Sequence, residues 1–124
     1  EVVVAEVERR ITAEPGTVSD RSQLLSGGDW VAVDAGDLAG PLMVRGRRSG
    51  DRLRPLGSPG RRSVQDLFVD RKIPRARRNR VPIVTDSGGR IVWIVGLTVA
   101  HEFRVTERTK SMIILAARQL GGVA

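Results

Sequence analysis

Short apolar segments separated by turn-forming residues predict a chain built mostly of β-strands. Residues 2–12 place valine and isoleucine among charged residues and predict a first strand, at the edge of a sheet and ended by Pro15 and Gly16. Residues 30–34 alternate apolar and polar side chains after a turn at residues 27–28, which predicts a second strand. Further predicted strands are residues 41–45, 97–99, 103–106 and 112–116, and residues 121–124 are predicted to fray.

The clearest local signal is a β-hairpin in the second half of the chain. Residues 86–89, Asp-Ser-Gly-Gly, tolerate a positive φ and lie between two apolar segments, residues 81–85 and 90–95. Two β-branched segments joined by such a turn are typical of an antiparallel pair. The Ser-Gly-Gly steps at residues 26–28 and 87–89 only partly resemble a pyrophosphate-binding loop, and we interpret both as turns.

A first short helix is predicted to begin after Ser63. The Ser63 hydroxyl group can accept a hydrogen bond from an N–H group of the first turn, and Asp66 lies at the spacing of a capping box. A negative charge at this position also suits the helix dipole. Val64, Leu67 and Phe68 then lie on one side of the helix, and we expect them to face the core.

A second short helix is predicted over residues 75–80, which carry four arginines. Pro74 suits the first position of this helix because it has no N–H group to leave unpaired, and Pro82 stops the helix. Ala76 is one of its few apolar side chains and is expected to anchor it. Strands therefore flank two short central helices, which indicates the α+β class and not the alternating order of a parallel sheet.

Composition limits the chemistry that this chain can perform. The chain has 124 residues, 40% of them hydrophobic, with no cysteine and a single histidine, His101. Disulfides, thiol nucleophiles and cysteine–histidine zinc sites are therefore excluded, and no metal site is expected. No apolar run approaches the roughly 18 residues of a membrane span, so we expect a cytoplasmic protein without a membrane partner. We interpret His101 as a surface or strand-edge residue.

Positive charge is concentrated in the middle of the chain. The net charge is +7, and 19 of the 21 basic residues are arginine, whose planar guanidinium group makes paired contacts with phosphate. Residues 45–80 hold 13 basic and 3 acidic residues, a local charge of +10, which leaves −3 for the rest. This concentration indicates a footprint for a polyanion, and a solvated charge run is the alternative. Glycines, prolines and apolar residues within the segment favour an ordered basic surface.

The aromatic residues narrow the kind of nucleic acid that such a surface would recognise. Trp30, Phe68, Trp93 and Phe103 are the only aromatic residues, and all lie in apolar contexts, so we expect them in the core. Binding of single-stranded RNA needs several exposed aromatic side chains on which bases stack. The sequence therefore favours recognition of a folded RNA through its backbone and shape.

Four blocks of sequence resemble one known family. Residues 43–57, Met-Val-Arg-Gly-Arg-Arg-Ser-Gly-Asp-Arg-Leu-Arg-Pro-Leu-Gly, resemble a signature of the C-terminal domain of tRNA(Ile)-lysidine synthase. Residues 63–82, 91–97 and 106–110 resemble its later blocks in the same order. The resemblance implies a small β-sandwich-like sheet core with two short central helices, a fold shared with a domain of the phenylalanyl-tRNA synthetase β subunit. The implied organisation is leading strands or a linker in residues 1–40, a tRNA-binding domain in residues 41–118 and a frayed tail in residues 119–124.

The family resemblance implies a role within a larger enzyme. Such ligases use ATP and Mg to adenylate the wobble cytidine of the isoleucine tRNA with a CAU anticodon, and lysine then displaces AMP. The Ser-Gly-Gly-x-Asp-Ser loop that binds ATP in these enzymes is not in this chain, so we expect the chain to hold no catalytic site and no cofactor. The C-terminal domain is expected to grip the tRNA near its acceptor stem and to contact its own catalytic domain.

We predict that ten basic residues form one face that contacts tRNA phosphates and riboses. Two interpretations of Asp51 stay open: an ion pair with Arg52 or Arg54 that locks the loop, or simple dilution of the positive charge. Arg80 is a further arginine that we expect to pack. If about five of the ten pair with phosphates of a duplex, the log–log slope of affinity against salt is on the order of −4. The predicted face consists of Arg45, Arg47, Arg48, Arg52, Arg54, Lys72, Arg75, Arg77, Arg78 and Arg80.

Two other classes of function stay open from the sequence. A docking module would use the basic face against an acidic partner, either its own catalytic domain or a second copy in a homodimer. A stand-alone enzyme is the third class, and the lack of a nucleophile, metal cluster or phosphate loop in the sequence weighs against it. A tight protein complex that is insensitive to RNA would favour the docking module.

Overall fold

Antiparallel pairing forms two four-stranded sheets and one two-stranded ribbon within residues 2–4, 9–16 and 30–119, which the computed structural model describes. The strands are β1 Val2–Val4, β2 Arg9–Gly16, β3 Trp30–Asp34, β4 Met43–Arg45, β5 Arg52–Leu53, β6 Arg62–Ser63, β7 Ile83–Thr85, β8 Ile91–Ile94, β9 Thr98–Val99 and β10 Met112–Gln119. The helices are α1 Val64–Asp70, α2 Arg75–Arg78 and a 3₁₀ helix, His101–Phe103. The predicted α+β class is confirmed.

The first sheet joins the two ends of the described chain in the order β1-β2-β10-β3. The single strand predicted over residues 2–12 is wrong, because β1 and β2 are separate strands that pair antiparallel, with Val2 opposite Ile11. Pro15 does not end the strand but lies within β2, opposite Ile113 of β10. Among the described strands β1 pairs only with residues 9–11, so Pro15 has a neighbour on one side, a position that tolerates proline.

The second sheet has the order β4-β7-β8-β9 and contains the predicted hairpin. β7 and β8 pair antiparallel, with Ile83 opposite Ile94 and Val84 opposite Trp93, and a register shift follows Val84. Every residue of β7 and β8 is buried. Strands that are buried on both faces have nearly continuous apolar sequences, and for this reason the sequence predicted β7 and β8.

Asp86 ties the hairpin turn to the loop between β3 and β4. Its carboxylate is almost fully buried and accepts hydrogen bonds from the backbone N–H groups of Gly88 at 3.1 Å, Arg90 at 3.0 Å and Ala39 at 3.3 Å. The Arg90 side chain adds an ion pair at 2.8 Å. Burial alone would raise the pKa of Asp86, but the contacts from Arg90 and Ala39 outweigh it and lower the pKa below 3.8.

A single hydrophobic cluster contains residues from both sheets and from α1. Val33 and Leu115 contribute from the first sheet and Ile94 from the second. Phe68, Trp93 and Phe103 are buried as predicted, whereas Trp30 is only half-buried. The cluster fits the sandwich-like core that the resemblance implied.

The first predicted helix is confirmed as α1. The Ser63 hydroxyl group accepts a hydrogen bond from the Asp66 N–H at 3.0 Å, and Val64, Leu67 and Phe68 are buried. The seven-residue helix is too short to be stable alone, so its packing against the core holds it in place.

The second predicted helix is shorter than expected and is held differently. α2 is a single turn that Pro74 precedes as the N-cap residue, and none of its residues is buried. The expectation that Ala76 anchors it is wrong, because Ala76 is exposed. The Arg78 Nε donates instead to the carbonyl oxygen of Ile73, the residue before Pro74, at 2.9 Å, which holds the turn to the segment that precedes it.

The remaining predictions have mixed outcomes. The strand predicted over residues 103–106 is wrong, because Phe103 ends the 3₁₀ helix and no strand follows it among the described residues. The turn at residues 27–28 and the tail at residues 121–124 lie outside the described residues. In the described part of the chain, no helix is long and apolar enough to span a membrane.

Replacing Asp86 with asparagine removes a buried negative charge. It also puts an NH₂ group in place of one carboxylate oxygen, so that a donor faces backbone N–H groups. We expect Asp86→Asn to lower the free energy of unfolding by about 2 kcal/mol at pH 7, as measured by thermal unfolding. Since the folded-state pKa of Asp86 lies below 3.8, its contribution is complete above that pH and lost as the pH falls through the lowered value. Asp37→Asn is the control, because Asp37 is exposed, and equal losses in the two variants would contradict this role.

Candidate nucleic-acid interface

The basic loop, residues 45–51, connects β4 to β5 and is closed by one ion pair. The Arg45 guanidinium group donates to both oxygens of Asp51, each at 2.9 Å, and also to the Gly46 carbonyl oxygen at 2.9 Å. The Arg48 N–H donates to the same carboxylate at 2.7 Å. Burial alone would raise the pKa of Asp51, but Arg45 and Arg48 outweigh it and lower the pKa. A paired, doubly hydrogen-bonded carboxylate therefore fixes the loop.

The expectation that Asp51 pairs with Arg52 or Arg54 is wrong. Arg52 is exposed in β5 and has no side-chain partner in the described part of the chain. Both carboxylate oxygens of Asp51 accept hydrogen bonds from Arg45 instead. The Arg54 Nε donates to the Ser58 carbonyl oxygen at 2.6 Å, within the turn that follows β5.

Arg47 connects the basic loop to both helices. Its Nε donates to Asn79 Oδ1 and its Nη1 to Gln65 Oε1, both at 2.9 Å. The guanidinium carbon also lies 5.8 Å from the centre of the Phe68 ring. A Cβ atom on Gly46 would lie 3.2 Å from the Asn79 carbonyl oxygen, so the loop backbone approaches the end of α2 closely. These contacts orient a guanidinium group without neutralising its charge.

Few of the basic residues in residues 45–80 are neutralised. Among the described residues, only Arg45 and Arg62 in this segment form ion pairs, with Asp51 and Asp70. Arg47, Arg54 and Arg78 bond to neutral acceptors. Eight further basic side chains are exposed and have no hydrogen-bond or ion-pair partner in the described structure. They are Arg48, Arg52, Arg61, Arg71, Lys72, Arg75, Arg77 and Arg80.

An open cleft of about 430 Å³ lies between the basic loop and the start of α1. Arg47, Arg48 and Asp51 line one side, and Ser63 and Gln65 line the other. The residues around it are predominantly hydrogen-bond donors and carry net positive charge. The cleft therefore offers anions a concave entrance next to the basic loop.

The structure brings together part of the predicted face. Arg47 places the basic loop beside α2, which carries Arg75, Arg77 and Arg78. Arg54 lies instead beside the 3₁₀ helix, where its carbonyl oxygen accepts from the His101 N–H at 2.8 Å. The arrangement of all ten residues on one face stays a prediction.

Two arginines have roles other than those predicted. Arg45, predicted to contact tRNA, belongs to the internal ion pair, so its guanidinium group stabilises the loop. Arg80 is exposed and has no described side-chain contact, whereas Arg78 makes the packing contact that was expected of Arg80. Gln65 and Asn79 were not predicted as orienting residues, because their contacts with Arg47 span 18 and 32 positions.

The described residues offer no metal site. Within residues 2–4, 9–16 and 30–119, no three His, Cys, Asp or Glu side chains cluster as metal ligands.

Both the sequence and the fold match known proteins. A family model described as the TilS substrate C-terminal domain matches residues 42–115. A tRNA(Ile)-lysidine synthase of Geobacillus kaustophilus is 39% identical over 109 residues, which are 88% of this chain and 23% of that protein. A bifunctional TilS/HprT protein of Listeria innocua is 37% identical over 98 residues, 78% of this chain and 15% of that protein. The chain thus spans less than a quarter of these relatives.

Two solved structures share the fold. A crystal structure of a TILS C-terminal domain superposes with a TM-score of 0.77 at 35% identity, over 92% of this chain and 86% of that chain. An N-terminal fragment of the phenylalanyl-tRNA synthetase β subunit from Pyrococcus horikoshii superposes with a TM-score of 0.68, over 89% of this chain and 39% of that chain. At 14% identity the second likeness shows the fold alone, as the resemblance implied.

Arg45 and Arg52 lie close in sequence, but only Arg45 belongs to the ion pair of the basic loop, so their substitution should affect stability differently. We expect Arg45→Gln to lower the free energy of unfolding by about 1–2 kcal/mol, because Asp51 loses its partner while it is largely buried. Arg52→Gln is the matched control and should change it by less than about 0.5 kcal/mol. Thermal unfolding of both variants measures the difference, and a larger loss for Arg52→Gln would refute this assignment.

Proposed function

Because the chain belongs to the family of C-terminal domains of tRNA(Ile)-lysidine synthases, we propose that it binds tRNA through residues 45–80. The observation that carries this proposal is the set of ordered arginines in this segment that no carboxylate neutralises. Arg47 is held by two amide oxygens and an aromatic ring, so its charge is available to a ligand. Guanidinium groups that are already oriented lose less conformational entropy when they bind phosphate.

The proposed ligand is the backbone of a folded RNA. Phe68, Trp93 and Phe103 are buried, so these three side chains are not available for stacking on bases. Arginine forks that project from a rigid loop and a short helix suit phosphates and riboses of a duplex stem. We propose that this duplex is the acceptor stem of the tRNA, away from the anticodon, as the family resemblance implies.

The protein that contains this domain is proposed to be a ligase of the cytoplasm. Its substrates would be ATP, with Mg, lysine and the wobble cytidine of the isoleucine tRNA with a CAU anticodon. The relatives that bear the name tRNA(Ile)-lysidine synthase support this assignment. The present chain would position the tRNA, and the chemical steps would take place on other parts of the protein.

The proposal is tested by binding of the chain to the CAU-anticodon isoleucine tRNA and to methionine tRNA across a salt series. Salt-sensitive binding that prefers the isoleucine tRNA would support a recognition domain. Salt-sensitive binding without preference would support a phosphate clamp whose specificity lies elsewhere in the protein. The absence of binding would overturn the proposal and favour a module that docks on its catalytic domain or forms a homodimer.

One arginine substitution distinguishes a local contact from general charge. We expect Arg47→Gln to weaken tRNA binding about tenfold at fixed salt, because a charge-assisted hydrogen bond to phosphate is lost. Arg108→Gln is the matched control, since Arg108 is exposed, lies outside residues 45–80 and involves the same change in charge. The affinities are measured by fluorescence anisotropy with labelled tRNA. Similar losses in both variants would show that net charge, and not the basic loop, controls binding.

A further inference from the structure

A second group of cationic side chains lies at the far end of β5, away from the contacts of the basic loop. Arg54 directly follows β5. Its carbonyl oxygen accepts a hydrogen bond from the His101 N–H at 2.8 Å, which joins the end of β5 to the 3₁₀ helix. Arg104 follows this helix directly, and its Nη1 donates to the His101 carbonyl oxygen at 2.9 Å. The Arg54 guanidinium group contacts Ser58, the residue after Gly57, whose N–H donates to His101 Nδ1. The guanidinium groups of Arg54 and Arg104 are therefore both held by residues that contact His101 or belong to it.

Each of these arginines is oriented by a neutral acceptor and keeps its charge. The Arg54 Nε donates to the Ser58 carbonyl oxygen, and Arg104 uses one nitrogen for its backbone contact. Their other N–H groups have no partner among the described residues. The adjacent Glu102 does not neutralise them by an ion pair, because its carboxylate lies 3.6 Å from Arg90 Nη1.

His101 adds a third donor whose direction is fixed. Its Nδ1 accepts a hydrogen bond from the Gly57 N–H at 3.1 Å, so in the neutral ring the proton lies on Nε2. Partial desolvation and the charges of Arg104 and Arg54 lower the pKa of His101, and the imidazole is neutral at pH 7. The Nε2–H group has no described partner and is available to an anion.

We propose that Arg54, His101 and Arg104 form a second phosphate subsite, which binds a backbone phosphate of the RNA. The proposal rests on the proposed RNA-binding function and extends it to His101 and Arg104, which lie outside residues 45–80. The donors are two guanidinium groups and one imidazole N–H, a set that matches the several acceptor oxygens of a phosphate. A duplex that contacts both the basic loop and this subsite would touch the domain at two separate places.

Proton uptake should accompany binding at this subsite. Partial desolvation and the charges of Arg104 and Arg54 lower the pKa of His101, and both arginines disfavour its protonation. The neighbouring Glu102 carboxylate is paired with Arg90 at 3.6 Å. A bound phosphate offsets these charges and favours the imidazolium form, so binding raises the pKa of His101. Affinity should therefore increase as the pH falls through the raised pKa that His101 has in the bound form.

The first test uses His101 as a reporter, because it is the only histidine in the chain. Inorganic phosphate is titrated into the ¹⁵N-labelled chain while NMR follows the imidazole signals and the pKa of His101. We expect a saturable change and a raised pKa in the wild-type chain, with loss of saturation in Arg104→Gln. A non-saturable change, or an equal change in both chains, would mean an adventitious ion only and would overturn the subsite.

The second test separates this subsite from the proposed function. Arg104→Gln should weaken tRNA binding about fivefold, Arg104→Lys should retain most of the affinity because it keeps the charge, and Arg108→Gln serves as control. Unfolding curves confirm that each variant is folded. If the wild-type chain binds tRNA and Arg104→Gln has no effect, the subsite is wrong and the proposed function stands. If phosphate binds saturably but tRNA does not bind, the anion subsite stands and the proposed function is wrong.

Discussion

Repulsion between like charges is the constraint on which the rest of this structure depends. Residues 45–80 carry a local charge of +10, and a segment of this kind favours extended conformations unless specific contacts oppose them. Within the described part of the chain, only two of its arginines are neutralised by carboxylates, at Asp51 and Asp70. The Arg45–Asp51 pair lies at the base of the basic loop and closes it, and the hydrophobic cluster around Phe68 supports α1 beneath it. The segment is thus ordered while most of its charge remains.

Neutral acceptors complete this arrangement and connect it to function. Amide oxygens of Asn79 and Gln65 and the carbonyl oxygens of Ile73, Ser58 and His101 hold arginine side chains. A carboxylate in any of these places would fix the same side chain but cancel its charge. The type of acceptor therefore divides the arginines into those whose charge is cancelled within the fold and those whose charge remains available to a polyanion. Arg45 belongs to the first group and Arg47 to the second.

Local signals in the sequence predicted much of the fold. The hairpin turn at residues 86–89 and the Ser63 cap depend on residues a few positions apart, so both were visible without the structure. Contacts between distant residues were not. The pairing of β2 with β10 joins residues about 100 positions apart, from Met112 opposite Gly16 to Gln119 opposite Arg9, and no local pattern indicated it. Pairing of Asp51 with Arg45, six positions earlier, and not with the adjacent Arg52 depends on how the basic loop closes, which adjacency in sequence does not reveal.

The sequence predicted which segment carries the basic residues, but not which of its arginines are bound within the fold and which are exposed. Concentration of arginine in residues 45–80 located the basic surface, because charge density can be counted from the sequence. Which arginines are internal depends on partners such as Asn79, 32 positions from Arg47. Residues 54–57 lie beside His101 through the contacts of Arg54 O with His101 N–H and of Gly57 N–H with His101 Nδ1, which span more than 40 positions. Their proximity depends on the fold.

The central claim is that oriented, un-neutralised arginines make the RNA contacts and that the neutralised pair does not. The most direct test is the slope of log affinity against log salt for tRNA binding by three chains: wild type, Arg47→Gln, and the double variant Arg45→Gln with Asp51→Asn. The double variant removes a pair without net charge. The account predicts that Arg47→Gln reduces the magnitude of the slope by about one and that the double variant, if folded, leaves it unchanged. An unchanged slope for Arg47→Gln, or a reduced slope for the double variant, would contradict it.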